Sequence, residues 1–217
     1  MKYYAIIPAA GKSTRFKKDK LTIKLNNELL IKHTIYNFQM DKDCEKIILV
    51  VASNKFDYYK SLFRLVSKLV VVAGGSTRSE SVKKGLQYCL KSQYVLIHDG
   101  ARPYVSDELI NNVKDNLVDN QIVIPVIDEV DSLIDVSGDE IKYLNRLNYK
   151  RVQTPQGFET NTLVRAFEQT SSIDGFTDEA SMVLSSIKDA KYVLIEGDYK
   201  NIKITTEQDV SEIEYDS

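Results

Sequence analysis

The chain has 217 residues, of which 43% are hydrophobic and 28% charged, and its net charge is −2. That length suits one sizeable domain, the composition is globular rather than disordered, and the charge balance argues against a general nucleic-acid binder, which is normally basic. Two cysteines (Cys44, Cys89) and two histidines (His33, His98) are too few for a rich zinc site, and no run nears the ~20 apolar residues of a membrane span.

The chain opens on Tyr3–Pro8, an apolar run too short for a signal peptide that reads as a first strand. Further strands are expected at Lys46–Ala52, Leu69–Val72, Tyr94–Asp99, Gln121–Val126 and Lys191–Glu196. Several show almost no polar alternation, the pattern of parallel strands buried on both faces. Helices are expected at Leu29–Phe38, Phe56–Ser67, Ser79–Leu90 and Ser106–Leu117, the last with Ser106 as N-cap and two acids in its first turn. This alternation predicts an α/β fold with a largely parallel sheet.

The rhythm breaks at 131–153, where two short alternating runs flank Ser137-Gly138-Asp139. A glycine turn of this kind signals a hairpin, and a lone hairpin wants a partner, so the segment is expected to project as a β-arm. Helices near Thr160–Gln169 and Asp178–Ile187 follow, then the last strand, a short Asn201–Ile204 segment and a helix from Thr206. No repeat or linker divides residues 1–217, so a single domain with an insertion at about 131–153 is expected. The free thiols and the absence of a leader or span point to the cytoplasm.

Three segments carry chemistry. Pro8-Ala9-Ala10-Gly11 follows the first strand and leads into Lys12, Arg15, Lys17, Lys18 and Lys20. Small residues let the backbone approach a phosphate, although the spacing is not that of Walker A. Ala73-Gly74-Gly75-Ser76-Thr77-Arg78 places two glycines and hydroxyls between a strand and a helix, suited to a nucleobase edge or to an ordinary helix cap. His98-Asp99-Gly100-Ala101-Arg102-Pro103 ends a strand with a carboxylate where a magnesium ligand would sit, and with an arginine able to meet a phosphate or to pair with Asp99. His98 reads as a packing residue rather than a catalyst.

The motifs PAAGKSTRF, AGGSTRSESV, HDGARP, QTPQGF, FTDEAS and DYKNIKITTEQD occur in this order and span nearly the whole chain. Together they resemble the cytidylyltransferases that act on 2-C-methyl-D-erythritol 4-phosphate in nonmevalonate isoprenoid synthesis, and more distantly other polyol-phosphate cytidylyltransferases. The resemblance implies a Rossmann-like sheet flanked by helices, a homodimer formed by exchange of the β-arm, and transfer of CMP from CTP to the sugar-alcohol phosphate with release of pyrophosphate. It implies Mg²⁺ or another divalent cation, and neither nucleic acid nor membrane as partner. By the same resemblance Arg15, Lys20 and Lys203 are catalytic, with Lys17 or Lys18 as other candidates because the loop before Lys20 is short and lacks the common proline. Pro8, Ala9, Ala10, Gly11, Ser13 and Arg78 would bind the nucleotide, Gly74, Gly75 and Ser81 lying around its cytosine ring. Asp99 would stand near the ribose and the metal. Ala101, Arg102, Arg146, Thr154 and Thr177 would bind the acceptor, Arg146 coming from the other subunit. Glu129 stands where such enzymes usually carry threonine; it either touches the alcohol or pairs with a basic arm residue such as Lys150 or Arg151. The alternatives are a ribitol-5-phosphate or other polyol-phosphate cytidylyltransferase and an inactive nucleotide-binding scaffold.

Overall fold

The apolar runs fold as strands because only the interior of a sheet covered on both faces removes all their side chains from water. The computed structural model describes residues 1–11, 19–173 and 175–210. In chain order the elements are β1 (Tyr3–Ala9), β2 (Lys24–Leu25), β3 (Glu28–Leu29), α1 (Leu30–Met40), β4 (Cys44–Val51), α2 (Phe56–Leu62), β5 (Leu69–Ala73), α3 (Arg78–Leu86) and β6 (Tyr94–Ile97). There follow α4 (Asp107–Leu117), β7 (Ile122–Asp128), β8 (Leu133–Asp135), β9 (Lys142–Leu144), β10 (Lys150–Val152), β11 (Gln156–Glu159), α5 (Thr160–Gln169), α6 (Glu179–Ser186) and β12 (Tyr192–Glu196).

Among the described residues eight strands form one sheet. Its spine runs β5, β4, β1, β6, β11, β7, with β12 along the far edge of β7. β1, β4, β5 and β6 are mutually parallel, as are β7 and β12; β11 is antiparallel to both β6 and β7. Side chains alternate between two cores. Ile47, Leu49 and Val51 of β4 face α1, α2 and α4, while Ile48 and Val50 face α3, α5 and α6. The mostly parallel α/β architecture expected from the sequence is therefore present. Among the described residues no helix is long and apolar enough to cross a membrane.

Several local details depart from the expected pattern. α2 stops at Leu62 rather than Ser67, and a turn closed by Val66 N on Phe63 O leads straight into β5. α3 stops at Leu86, with tighter turns through Cys89. β11 was not expected at all. The arm also divides: β8 and β9 pair only with each other, whereas β10 returns to the main sheet beside β7. The projecting part thus ends before Lys150. Ser106 does cap α4, accepting from Leu109 N at 3.2 Å.

Candidate active site

The chain lays β4 and β5 on one side of β1 and then returns to lay β6 on its other side, so the strand order reverses at β1. A crevice opens at the carboxyl ends of strands at such a switch point. Here its floor is Pro8, Ala9, Ala10 and Gly11 after β1, and Asp99, Gly100 and Ala101 after β6. His98 N donates to Ile6 O at 2.9 Å and Gly100 N to Pro8 O at 3.3 Å, which carries the β1–β6 ladder into the cleft. The walls add Lys20 and Leu21, Arg78 and Ser81 of α3, and Lys203.

Charges are arranged around Asp99. Its Oδ2 lies 2.8 Å from Lys203 Nζ and its Oδ1 3.2 Å from Arg78 Nε, with Arg102 Nε 3.7 Å away. Burial alone would raise this carboxyl, but Arg78, Lys203 and Arg102 outweigh it and hold Asp99 well below the usual carboxylate range. Arg78 continues the chain of charges inward: its terminal nitrogen meets both oxygens of Glu179, at 2.8 and 2.6 Å. The Glu179 side chain is wholly buried at the start of α6. Burial pushes the Glu179 carboxyl up while Arg78 pulls against it. Two oxygens on one guanidinium nitrogen is the geometry of a carboxylate anion, and we read the pair as charged.

The backbone around the glycines is fastened rather than loose. Gly74 N donates to Val51 O at 2.7 Å, and Gly75 N to Ser81 Oγ at 3.1 Å. Ser76 N and Oγ both reach Glu80 Oε2, at 2.6 Å, and Thr77 caps α3 by accepting from Glu80 N. A Cβ at Gly74 would stand 2.7 Å from both Ala10 Cβ and Ser81 Oγ, so glycine is needed for two loops to meet beside the cleft.

The segment carrying Lys203 is pinned on both sides. Arg102 donates to Asn201 O at 2.6 Å, Asn201 Nδ2 to Thr154 O at 2.7 Å, and Ile204 N to Ala101 O at 2.9 Å. Arg102 is consequently buried in the wall and does not line the cleft. Thr154 also turns inward. Its hydroxyl accepts from Asp99 N at 3.1 Å and lies 3.2 Å from His98 Nδ1, while His98 Nε2 lies 2.9 Å from Arg102 O. A carbonyl only accepts, so Nε2 carries the proton and the threonine hydroxyl donates to Nδ1. His98 is fully buried, as its reading as a packing residue requires.

Two further expected site residues, Arg146 and Thr177, do not line the cleft of this chain. Arg146 follows β9 on the arm, exposed, donating to Val130 O. Thr177 is exposed just before α6. Ser13 and Arg15, with Lys17 and Lys18, lie outside the described residues. Glu129 faces the arm: its Oε2 is 3.7 Å from Arg151 Nε, and its Oε1 accepts from Val130 N at 2.9 Å. Lys150 pairs with Asp128 instead.

Sequence reasoning missed Glu179, Asn201 and Asp19. Asp19 caps the turn that starts at Lys20. Glu179 lies within the FTDEAS motif, but an acid in the first turn of a helix is ordinary, and nothing local marks it as buried. As a magnesium site the cleft offers Asp99, the one carboxylate among the described lining residues. A single ionised oxygen donor in a cleft that also presents lysines fits an ion that keeps waters and takes its other ligands from substrate phosphates.

The family model described as IspD, 2-C-methyl-D-erythritol 4-phosphate cytidylyltransferase, matches residues 3–215. Curated relatives of that name include those of Bacillus cytotoxicus, 35% identical over 96% of this chain and 94% of that protein, and Geobacillus thermodenitrificans, 36% identical over 97% and 94%. Among solved structures, the 4-diphosphocytidyl-2C-methyl-D-erythritol synthase of Anaerococcus prevotii superposes with a TM-score of 0.86, at 29% identity over 97% of this chain and 95% of that one. The Francisella tularensis 2-C-methyl-D-erythritol 4-phosphate cytidylyltransferase gives 0.85, at 29% identity over 100% of both chains.

Proposed function

The chain belongs to the 2-C-methyl-D-erythritol 4-phosphate cytidylyltransferase family, and from that premise we propose that it transfers CMP from CTP to 2-C-methyl-D-erythritol 4-phosphate. The products are 4-CDP-2-C-methyl-D-erythritol and pyrophosphate. One observation supports this reading most: Lys20 and Lys203 face one cleft beside the small-residue turn Pro8–Gly11, with Lys203 held 2.8 Å from Asp99.

The acceptor phosphate, with a second pKa of about 6, is largely dianionic near neutral pH and needs no general base. One of its oxygens bonds to the α-phosphorus of CTP as the bond from that phosphorus to the bridging oxygen of pyrophosphate breaks. The obstacle is repulsion between two anions, so catalysis is positioning plus charge stabilisation. Lys20 and Lys203 supply fixed positive charge. Asp99 keeps Lys203 in place and is the residue that would hold Mg²⁺, whose chemistry is to neutralise phosphate charge. The backbone of Ala9–Gly11 would meet the phosphates and the Gly74–Gly75 turn the cytosine. Arg15 is assigned a catalytic role from its motif. In this reading Thr154 and Arg102 shape the floor and the Lys203 segment, and Thr177 lies by the acceptor.

We also assign a homodimer in which the arm is exchanged, so that Arg146 of the partner subunit meets the acceptor phosphate. The support is a bare apolar arm, with Tyr143 81% and Leu147 80% exposed in the single chain. The whole chain acts as one nucleotidyltransferase domain with this insertion. Both substrates are multiply charged, and the cytoplasm is the compartment we assign to the enzyme.

Pyrophosphate release tests the reading. CTP with Mg²⁺ should give turnover with methylerythritol phosphate, far less with ribitol 5-phosphate and none without acceptor. No turnover with any polyol phosphate, from folded protein that binds CTP, would leave the scaffold alternative.

A further inference from the structure

Lys20 starts a single 3₁₀ turn, Lys20–Thr22, and so short a helix does not hold its own shape. What holds it is Asp19. The main-chain oxygen of Asp19 accepts from Thr22 N at 3.0 Å and from Thr22 Oγ1 at 2.8 Å, and its Oδ1 accepts from Leu21 N at 3.2 Å. The other carboxylate oxygen points away from the turn, toward α2. Oδ2 accepts from Lys55 Nζ at 2.6 Å and from the Tyr59 hydroxyl at 3.1 Å.

These two donors differ in stiffness. Lys55 stands just before α2 with its side chain 40% exposed, whereas Tyr59 is fully buried within α2. The Tyr59 ring lies parallel to Phe63 at 6.4 Å and meets Tyr58 edge-on at 5.0 Å. Its hydroxyl is therefore a fixed point of the core, and burial together with Asp19 pushes it well above the ordinary tyrosine value, so it remains a donor. None of the described residues lining the cleft comes from α2. On the cleft side of the turn, Lys20 Nζ donates to Ile204 O at 3.0 Å, next to Lys203.

We propose that Asp19, Lys55 and Tyr59 form a clamp that positions Lys20 for the transfer step. The inference rests on the reading of Lys20 as a catalytic cation. Asp19 is a positioning residue: one oxygen shapes the turn, and the other ties it to the core through α2. Position 19 thus carries a charged anchor in this chain.

The test is steady-state pyrophosphate release by the full chain, with Asp19→Ala, Asp19→Asn and Tyr59→Phe made in the wild type, and Asp19→Ala also in a Lys20→Ala background. A misplaced catalytic group costs up to about 10²-fold, so Asp19→Ala should lower kcat by about 30-fold, with KM for both substrates changed by less than about threefold. Asp19→Asn keeps the acceptor for Leu21 N but loses the charged contact to Lys55; about a fivefold fall in kcat is expected. Tyr59→Phe should cost about threefold. Added to Lys20→Ala, Asp19→Ala should lower kcat by no more than about twofold, because the clamp then has nothing to position. An equal fall in both backgrounds, or an unchanged kcat in Asp19→Asn and Asp19→Ala, would overturn the clamp alone. Near-normal activity of Lys20→Ala would overturn both the clamp and the catalytic reading of Lys20. If Asp19→Ala fails to fold, the same comparison is made with Asp19→Asn.

Discussion

The buried imidazole of His98 should make this protein sensitive to mild acid. The ring sits below the cleft floor, 5.2 Å from Phe38, with the charges of Asp99 and Arg102 nearby. Burial is the largest influence on its basicity and lowers it; the carbonyl of Arg102 and the carboxylate of Asp99 resist, and the result is pushed down to about 4 from an ordinary 6.5. Between these values the unfolded chain binds a proton on His98 and the native chain does not. Stability is therefore full above about pH 6.5 and falls as the pH drops toward 4. At pH 5 the unfolded imidazole is almost wholly charged and the native one mostly neutral, so the loss between pH 7 and pH 5 is about 2 kcal/mol. Protonation would also place a hydrogen on Nδ1, against a threonine hydroxyl that already donates there. The assay is urea unfolding at pH 7, 6 and 5 for the wild type and for His98→Gln, which cannot titrate. The wild type should lose about 2 kcal/mol more than the variant over this range, the other groups cancelling in the comparison. Parallel pH dependences, or an imidazole that titrates near 6.5 by NMR, would refute the reasoning.

Replacing Lys203 with Met removes the cation at Asp99 and should lower kcat by about 10²-fold or more with little change in melting temperature, because the side chain is 41% exposed. Gly74→Ala brings a methyl group into the contact between Ala10 and Ser81; a loss of about 1–3 kcal/mol in urea unfolding is expected, together with a raised KM for CTP. Glu129→Thr should leave the ratio of kcat/KM for methylerythritol and ribitol phosphates within about threefold of wild type, since the carboxylate faces Arg151 in a partly exposed pair; a large switch would show that Glu129 reads the alcohol. Co-expressed Arg15→Ala and Arg146→Ala chains should recover about a quarter of wild-type activity, because half of random dimers would contain one intact site. No recovery would remove the shared-site arrangement.

The sequence by itself was enough for six strands of the sheet and for the turns that floor the cleft. Strands β1, β4, β5, β6, β7 and β12 are apolar runs, and Ser106 marks a helix start, because burial on two faces and capping are local demands on residue type. Small residues and glycines directly after β1, β5 and β6 likewise marked the turns that meet in and beside the cleft. β11 was invisible for the opposite reason. Gln156-Gly157-Phe158-Glu159 has no strand pattern, yet β6 and β7 both offer it an edge. Gly157 is there because a Cβ would meet Val113 and Leu117 of α4 at 2.7 Å, and Gln156 because its amide donates to Asp178 at 2.9 Å. The same holds for the side chains that shape the site. Thr154 was expected to face the acceptor, but its hydroxyl serves His98 and Asp99, 56 and 55 residues away in the chain. Arg78 finds Glu179 across 101 residues, and Asp19 finds Lys55 and Tyr59 across 36 and 40. Local pattern reports what a residue needs from its own backbone and from water. Which distant partner satisfies a buried charge is decided only when the layers close, since a carboxylate excluded from water must take whatever donor the tertiary structure brings within reach.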